Sequence, residues 1–393
     1  MSGVQDDASA RILVVDDNEA NRDLLVRRLR REGHATQVAV NGRDALAMLL
    51  DDTFDLILLD IMMPEMNGYE LLERMRADDV LRHVPVILIS ALDDTDSITK
   101  GIELGADDYL PKPFNPHILR ARVGASLARK RLHDREQLHA RSLEREMDIA
   151  REIQAGFLPD ELPAAAGWDL AAWFQPARRV SGDFYDAFAL HDGKRIGLVV
   201  ADVCDKGVGA ALFMALFRSL VRALSERMLT ADGDTAAQAR DLISSVNDYI
   251  ARTHGRANMF ATLFFAILDP ATGHLVYVNG GHEAPVISGP DGVRTRLAPT
   301  GPAVGMLPGL AFATASETIA PGETLVAFTD GVTDAVDANG ARYLEQRLLA
   351  QLESPAGPAR DTLHRIQSEV QAHAGHAAPY DDITLFVAHR QST

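Results

Sequence analysis

Residues 56–68, LILLDIMMPEMNG, place an aspartate directly after a short apolar run. Comparable runs rich in Val, Ile and Leu occupy residues 12–15, 36–40 and 86–90, with a weaker fifth at 109–110. Helical patterns fill the gaps, near residues 19–31, 43–50, 68–77 and 95–104. Strands that alternate with helices predict an α/β domain with an open, five-stranded parallel sheet that is covered on both faces.

Polar side chains follow the ends of these predicted strands, namely Asp16, Asp17, Asp60, Ser90 and Lys112. Because ligand sites in such sheets lie at the carboxyl ends of the strands, we expect these side chains to meet at one edge. Aspartates also serve in ordinary turns, but three convergent carboxylates would repel one another without a cation, and carboxylate oxygens suit Mg²⁺. A carboxylate beside Mg²⁺ and a lysine can accept a phosphoryl group.

Residues 11 to about 125 resemble the CheY-like receiver domains of two-component response regulators. The resemblance is carried by four motifs: VDD (15–17), LLDIMMPEMNG (58–68), ISA (89–91) and YLPKPF (109–114). It implies a flavodoxin-like, doubly wound receiver over residues 10–125, with a sensor histidine kinase as its phosphodonor.

Carried over position by position, the resemblance makes Asp60 the phosphoacceptor. It also implies a cis peptide bond between Lys112 and Pro113. The remaining motif residues receive supporting roles: Mg²⁺ binding by Asp16, Asp17, Asp60 and the Met62 backbone carbonyl, phosphate contact by Lys112, and conformational switching by Ser90 and Tyr109.

A single helical pattern extends from Pro116 to Leu158. Pro116 suits the first helical position, and Pro159 stops the helix. At about 1.5 Å per residue, this linker over residues 116–158 would reach roughly 60 Å. Its clearest apolar stripe consists of Leu143, Met147, Ala150, Ile153 and Phe157. That stripe fits either a coiled coil in a homodimer or a helix docked on the next domain, and the sequence leaves both open.

Residues 160–393 follow a different order, because strand-like runs come in pairs. We predict that residues 169–174 pair with 183–190, and residues 260–269 with 274–279. Further predicted elements are strands at 195–203, 324–330 and 383–389, and helices near 208–229, 234–253, 343–353 and 359–373. Hairpin-linked strands with grouped helices predict an α+β domain of two antiparallel sheets flanked by helices.

Carboxylates gather again at the ends of these runs, at Asp183, Asp202, Asp330, Asp381 and Asp382. Each alone fits an ordinary turn. Together they form a carboxylate-only set, which suits two Mg²⁺ or Mn²⁺ ions better than zinc. Two such ions about 3.5–4 Å apart can activate a water molecule and hold a phosphoryl group for in-line attack.

Residues 145–390 resemble the metal-dependent PPM family of serine/threonine protein phosphatases, in its bacterial sporulation stage II E branch. The resemblance rests on SGDFYD (181–186), VADVCDKG (200–207), FTDGVTD (328–334) and PYDDITL (379–385), together with REIQAGFLP (151–159) and residues 259–282. It implies a set of metal-binding groups: Asp202 between two ions, Asp183 on an ion or its water, Asp330 and Asp381 on the second ion, and the Val203 backbone carbonyl on the first.

The chain departs from the family pattern beside Asp202. Cys204 and Asp205 stand where the family usually has Ser-Gly. Asp205 adds a carboxylate and is therefore a further candidate for the site. Asp382 stands where the family has Asn or Asp, and it is a candidate of the same kind.

Bulk properties narrow the function further. The formal net charge of −17 disfavours a nucleic acid partner. The single cysteine, Cys204, excludes an intramolecular disulfide and fits a reducing compartment. The N-terminus lacks the features of a signal peptide, and no run approaches the ~18 apolar residues of a membrane span. We therefore expect a cytoplasmic protein without membrane insertion.

The combined prediction is a response regulator in which phosphorylation of Asp60 controls a metal-dependent protein serine/threonine phosphatase. The resemblance implies that the substrate is a phosphoserine or phosphothreonine on a small regulatory protein, such as an anti-sigma-factor antagonist. The alternative is a non-catalytic adaptor that binds a regulatory partner. Adaptors of this kind typically lose metal-binding acids, so the retention of Asp183, Asp202, Asp330 and Asp381 favours the enzyme.

Overall fold

The computed structural model describes residues 9–91, 95–353, 357–377 and 379–392. The Ser90 side chain lies outside the described residues. The chain divides into two compact units, one that ends at Leu143 and one that begins at Glu144.

The first unit is an α/β domain built on one parallel sheet. Its strands are β1 (Arg11–Val15), β2 (Ala35–Ala39), β3 (Leu56–Asp60), β4 (Val86–Ala91) and β5 (Asp108–Lys112), in the order β2-β1-β3-β4-β5. The connecting helices are α1 (Glu19–Arg31), α2 (Gly42–Asp51), α3 (Gly68–Ala77), a 3₁₀ turn (Leu81–His83) and α4 (Thr95–Glu103). The predicted doubly wound, five-stranded fold is confirmed.

The loop after β3 is folded tightly against the strand end. Every residue of β3 is buried, and Asp60 is its last residue. Asn67 caps α3 by accepting a hydrogen bond from the Glu70 backbone N–H at 3.0 Å, and the Glu70 carboxylate accepts one from the Asn67 N–H at 3.0 Å. Gly68 is required here, because a Cβ at this position would collide with the carbonyl oxygen of Asp60.

The long helix α5 (Pro116–Ala155) contains 40 residues. Asn115 accepts a hydrogen bond from the His117 N–H at 2.9 Å and so caps its start. The helix ends before the predicted Leu158, because Gly156 weakens it and the chain then closes in tight turns. The boundary between the two units falls within α5.

The second unit contains two antiparallel sheets. The first has the order β13-β10-β9-β8-β7, from strands β7 (Phe184–Leu190), β8 (Arg195–Val203), β9 (Ala261–Leu268), β10 (His274–Gly280) and β13 (Ala315–Thr318). The second has the order β12-β11-β14-β15-β6, from strands β6 (Trp168–Gln175), β11 (Val286–Gly289), β12 (Gly292–Arg296), β14 (Thr324–Phe328) and β15 (Ile383–Arg390). The predicted α+β class is confirmed.

One predicted strand pairing is wrong. β6 does not pair with β7: it pairs with β15, where Trp173 lies opposite Leu385, while β7 pairs with β8 in the other sheet. The chain between β6 and β7 therefore crosses from one sheet to the other, and no local pattern signals such a long-range pairing. The predicted strand at 324–330 is also too long, because it ends at Phe328 and Asp330 begins a helix.

In the described part of the second unit, five helices cover the two sheets. They are α6 (Val208–Met228), α7 (Thr235–His254), which is followed by a 3₁₀ turn (Gly255–Ala257), α8 (Asp330–Thr333), α9 (Glu345–Leu352) and α10 (Ala359–Ala374). Apolar side chains of α6 and α7 pack on the β7-containing sheet, and those of α9 and α10 on the sheet that contains β15. A third apolar cluster lies between the sheets.

Helix α6 is long and apolar enough to cross a membrane by length and composition alone. A core helix passes the same test. Ala210, Met214, Phe217 and Val221 are buried in the apolar cluster under the β7-containing sheet.

Candidate functional site

In the first unit, Asp16, Asp60 and Lys112 meet at the carboxyl edge of the sheet. The Lys112 Nζ lies 2.8 Å from Oδ2 of Asp60 and 3.2 Å from Oδ2 of Asp16. Asp16 and Asp60 are buried and Asp17 is exposed, yet one carboxylate oxygen from each lies within 4.8 Å of the others. This spacing and the oxygen-only donor set fit one Mg²⁺ ion.

Burial and ion pairing shift the pKa values of Asp60 and Lys112 at this edge. The pKa of Asp60 is raised by burial and by the charge of Asp16, against the opposing effect of Lys112. Burial lowers the pKa of Lys112, but its hydrogen bond to Asp60 and the charges of both aspartates outweigh burial, so that pKa is raised. Lys112 therefore stays charged beside the acids.

The other predicted receiver residues lie around this edge. Tyr109 lies in β5, and the Arg122 guanidinium lies 4.5 Å from the centre of its ring. Met62 lies in the loop after Asp60 and is 78% exposed. The backbone of Ser90 pairs with Pro111, and the Lys112–Pro113 bond is cis as expected. The functional roles of these residues stay predictions.

In the second unit, Asp183 is held by two threonines whose role no sequence motif indicated. Its Oδ2 accepts hydrogen bonds from Oγ1 of Thr329 at 2.6 Å and from Oγ1 of Thr384 at 2.9 Å. All three side chains are buried. The pKa of Asp183 is raised well above its ordinary value by burial and by the charge of Asp202.

Asp202 lies near the end of β8, and its charge acts on Asp183. Its pKa is raised to about 7, first by burial and then by the charges of Asp330 and Asp381. Burial and the charge of Asp381 raise the pKa of Asp330 as well. The structure thus brings all four predicted metal-binding carboxylates into one electrostatically coupled group.

This group fits divalent cations. Converging carboxylates repel one another, and a cation between them removes that cost. In the part of the chain that the structure describes, only the receiver acids have oxygens within 4.8 Å of one another as a set of three. The four acids of the second unit form no such set among the described residues. The Val203 carbonyl borders Gly182, where a Cβ would come within 2.7 Å of it.

Lys206 is a cation in this site that was not among the predicted site residues. Its Nζ lies 2.8 Å from Oδ2 of Asp381 and donates a hydrogen bond to the Tyr380 carbonyl at 3.0 Å. The charge of Lys206 opposes the rise in the pKa of Asp330. The only sequence signal was its position four residues after Asp202.

The two additional candidates differ in their surroundings. Both carboxylate oxygens of Asp382 are used by the backbone, since Oδ1 accepts from the Ala177 N–H at 2.7 Å and Oδ2 from the Gly182 N–H at 2.9 Å. These contacts give Asp382 a structural role. Asp205 is exposed and has a φ of 72°, a left-handed conformation in which glycine, the usual family residue, is unstrained.

His282 is connected to the site through Thr262. It is buried, its Nδ1 lies 2.9 Å from Oγ1 of Thr262, and Thr262 is opposite Asp202 in the β8–β9 register. The Asn279 side chain accepts a hydrogen bond from the His282 N–H at 2.8 Å. Burial lowers the pKa of His282 to about 3, so this side chain is neutral.

Comparisons with known proteins find a different family in each of the two units. The family model described as stage II sporulation protein E matches residues 192–391, and that of the response regulator receiver domain matches residues 12–124. Protein IcfG of Synechocystis is 42% identical over 265 residues, which cover 62% of this chain and 41% of IcfG. Response regulator PleD of Caulobacter vibrioides is 48% identical over 124 residues, which cover 32% of this chain and 27% of PleD.

The chain thus spans less than half the length of these two relatives. Among solved structures, the SiaA-PP2C domain of Pseudomonas aeruginosa is similar with a TM-score of 0.53 and 23% identity, over 64% of this chain and 98% of that domain. This likeness supports the fold of the second unit.

Proposed function

Because this chain belongs to the stage II sporulation protein E family and carries a response regulator receiver domain at its N-terminal side, we propose that it is a metal-dependent protein serine/threonine phosphatase controlled by phosphorylation of Asp60. The proposed domains are a receiver at 10–125, a helical linker at 116–158 and a phosphatase domain at 160–393.

The observation that carries the catalytic proposal is the coupled set of Asp183, Asp202, Asp330 and Asp381. An adaptor that only binds a partner has no need to gather repelling carboxylates, of which Asp183 is buried and Asp202 and Asp330 are partly buried. When bound, two Mn²⁺ or Mg²⁺ ions would supply water activation and stabilisation of phosphoryl charge. Asp202 would contact both ions, with the carbonyl of Val203 on the first.

The other acids would divide the remaining work. Asp330 and Asp381 lie on the Lys206 side and would hold the second ion. Asp183 is fixed by Thr329 and Thr384, so it would orient Asp202 or a water next to the first ion.

In the receiver, Asp60 would accept the phosphoryl group from a sensor histidine kinase. Lys112 already contacts its carboxylate and would neutralise the added charge. Asp16 and Asp17 would bind Mg²⁺ with Asp60 and the Met62 carbonyl, and Ser90 and Tyr109 would report the phosphorylated state. Dimerisation through the apolar stripe of residues 143–157 is one route by which that state would reach the phosphatase.

The substrate we propose is a phosphoserine or phosphothreonine on a small regulatory protein, of the anti-sigma-factor antagonist type, in the cytoplasm. Hydrolysis of a phosphoserine peptide should require Mn²⁺ or Mg²⁺ and should be lost in Asp202→Ala and Asp330→Ala. Asp334→Ala, a nearby acid outside the proposed metal set, is the matched control. Activity that survives in both site variants, or that persists in EDTA, would refute the metal-site assignment.

A further inference from the structure

We propose that Gln154 is a positioning residue of the phosphatase site, through which the last turn of α5 fixes the loop that carries Asp183. This inference rests on the proposed function for its kinetic readout. It concerns a side chain to which neither the family resemblance nor the motif analysis gave a role.

The Gln154 side chain is buried and makes two hydrogen bonds to one residue. Its Nε2 donates to the Ser181 carbonyl at 2.6 Å, and its Oε1 accepts from the Ser181 N–H at 2.9 Å. A primary amide is the neutral side-chain group that can donate and accept in this paired way. The last turn of the helix is thus joined to the backbone of the loop 181–183.

Ser181 connects the Gln154 contact to Asp183. The Ser181 Oγ accepts a hydrogen bond from the Asp183 N–H at 3.0 Å. On its other side the loop is fixed by Asp382, which accepts from the Gly182 N–H. The backbone that carries Asp183 is therefore held between α5 and the segment before β15, and a shift of α5 would have to move the loop or break both Gln154 bonds.

A second contact between α5 and this region is weaker. Arg179 forms an ion pair with Asp148, but both side chains are about half exposed. An exposed ion pair of this kind contributes only about 0–1 kcal/mol. Loss of the Gln154 amide instead leaves a buried N–H and a buried carbonyl without partners, which costs more. Gln154 is therefore the stronger of these two contacts between α5 and the loop region.

Two substitutions separate hydrogen bonding from packing. Gln154→Ala removes both bonds and the side-chain volume. Gln154→Glu keeps the volume and the acceptor for the Ser181 N–H, but it places a second acceptor against the Ser181 carbonyl. Glu152→Ala, on an exposed face of the same turn, is the control. All variants and the parent are full-length chains that also carry Asp17→Asn. This change removes one proposed ion-binding carboxylate of the receiver.

Three properties are measured for each variant. They are the Mn²⁺ affinity by calorimetry, kcat and KM on a phosphoserine peptide, and Tm in EDTA. We expect Gln154→Ala and Gln154→Glu to weaken Mn²⁺ binding at least about tenfold and to lower kcat, with little change in KM, because partners behind a metal ligand affect the metal and not the peptide. Glu152→Ala should stay within about twofold of the parent.

A lower Tm with unchanged Mn²⁺ affinity and kcat would overturn the inference, since Gln154 would then only stabilise the fold. If the alanine variant does not fold, the glutamate variant decides. If the parent hydrolyses no phosphopeptide, the proposed function fails, but Mn²⁺ affinity still decides the role of Gln154.

Discussion

The ammonium nitrogen of Lys206 lies 2.8 Å from Oδ2 of Asp381, so a side-chain cation already neutralises one of the proposed metal-binding carboxylates. A metal ion at Asp381 would have to displace this ammonium group or share its carboxylate. Lys206 therefore opposes metal binding in two ways: it occupies the ligand and adds positive charge.

We predict that Lys206→Met increases Mn²⁺ affinity at the second ion by about two- to fivefold, the size expected for loss of one partly exposed ion pair. Calorimetric titration of the full chain measures this effect, with Lys194→Met as an exposed control. Weaker Mn²⁺ binding in Lys206→Met would contradict the competition.

The neighbours Asp381 and Asp382 should behave in opposite ways. Asp382→Ala removes the acceptor of two backbone N–H groups, so we expect it to destabilise the metal-free second unit by about 2–4 kcal/mol. Asp381→Ala should leave that stability nearly unchanged but weaken Mn²⁺ binding. Urea unfolding in EDTA and calorimetry separate the two effects, and equal losses of stability would refute the division of roles.

Stability should depend on pH through Asp202. Its pKa is raised to about 7, so the folded metal-free protein keeps a proton there that the unfolded chain releases above about pH 4. The raised pKa of Asp202 therefore stabilises the folded, metal-free protein. This stabilisation is fully present below about pH 4 and is lost as the pH rises through about 7.

Asp202→Asn should therefore raise the Tm of the second unit in EDTA at about pH 8 and have a smaller effect at about pH 5. Scanning calorimetry at the two pH values tests this difference. A lower Tm for Asp202→Asn than for the parent at about pH 8 would contradict the predicted direction of the effect.

Removal of Lys112 should expose the repulsion in the receiver. Lys112→Met leaves the buried Asp16 and Asp60 without their cation, so we expect a loss of about 1–3 kcal/mol in receiver stability without Mg²⁺. Saturating Mg²⁺ should recover part of that loss, because the ion would take the place of the ammonium group. Thermal unfolding with and without Mg²⁺ measures both effects, with the exposed Lys100→Met as control. A Mg²⁺-independent loss would contradict a shared ion site.

The receiver could be predicted in detail because its information is local. Short buried strands, capped helices and polar residues at strand ends follow from the order of residues alone, and Asp16, Asp60 and Lys112 converge because parallel strands share one carboxyl edge.

The second unit was less predictable because its pairings are long-range. β6 pairs with β15 across most of the domain, and nothing near Trp173 indicates this. For the same reason the sequence indicated the four acids but not their supports. Thr329, Thr384 and Gln154 are ordinary residues in sequence, and they acquire roles only when folding brings them beside Asp183 or Ser181.

We propose above all that the state of Asp60 sets the activity of the second unit. The most direct test is the rate of Mn²⁺-dependent phosphoserine hydrolysis by the full chain with and without beryllofluoride, a phosphoryl analogue, with Asp60→Asn as the control. We predict that beryllofluoride changes the rate at least about fivefold in the parent and leaves Asp60→Asn unaffected. An equal rate with and without beryllofluoride, or the same response in Asp60→Asn, would contradict the account.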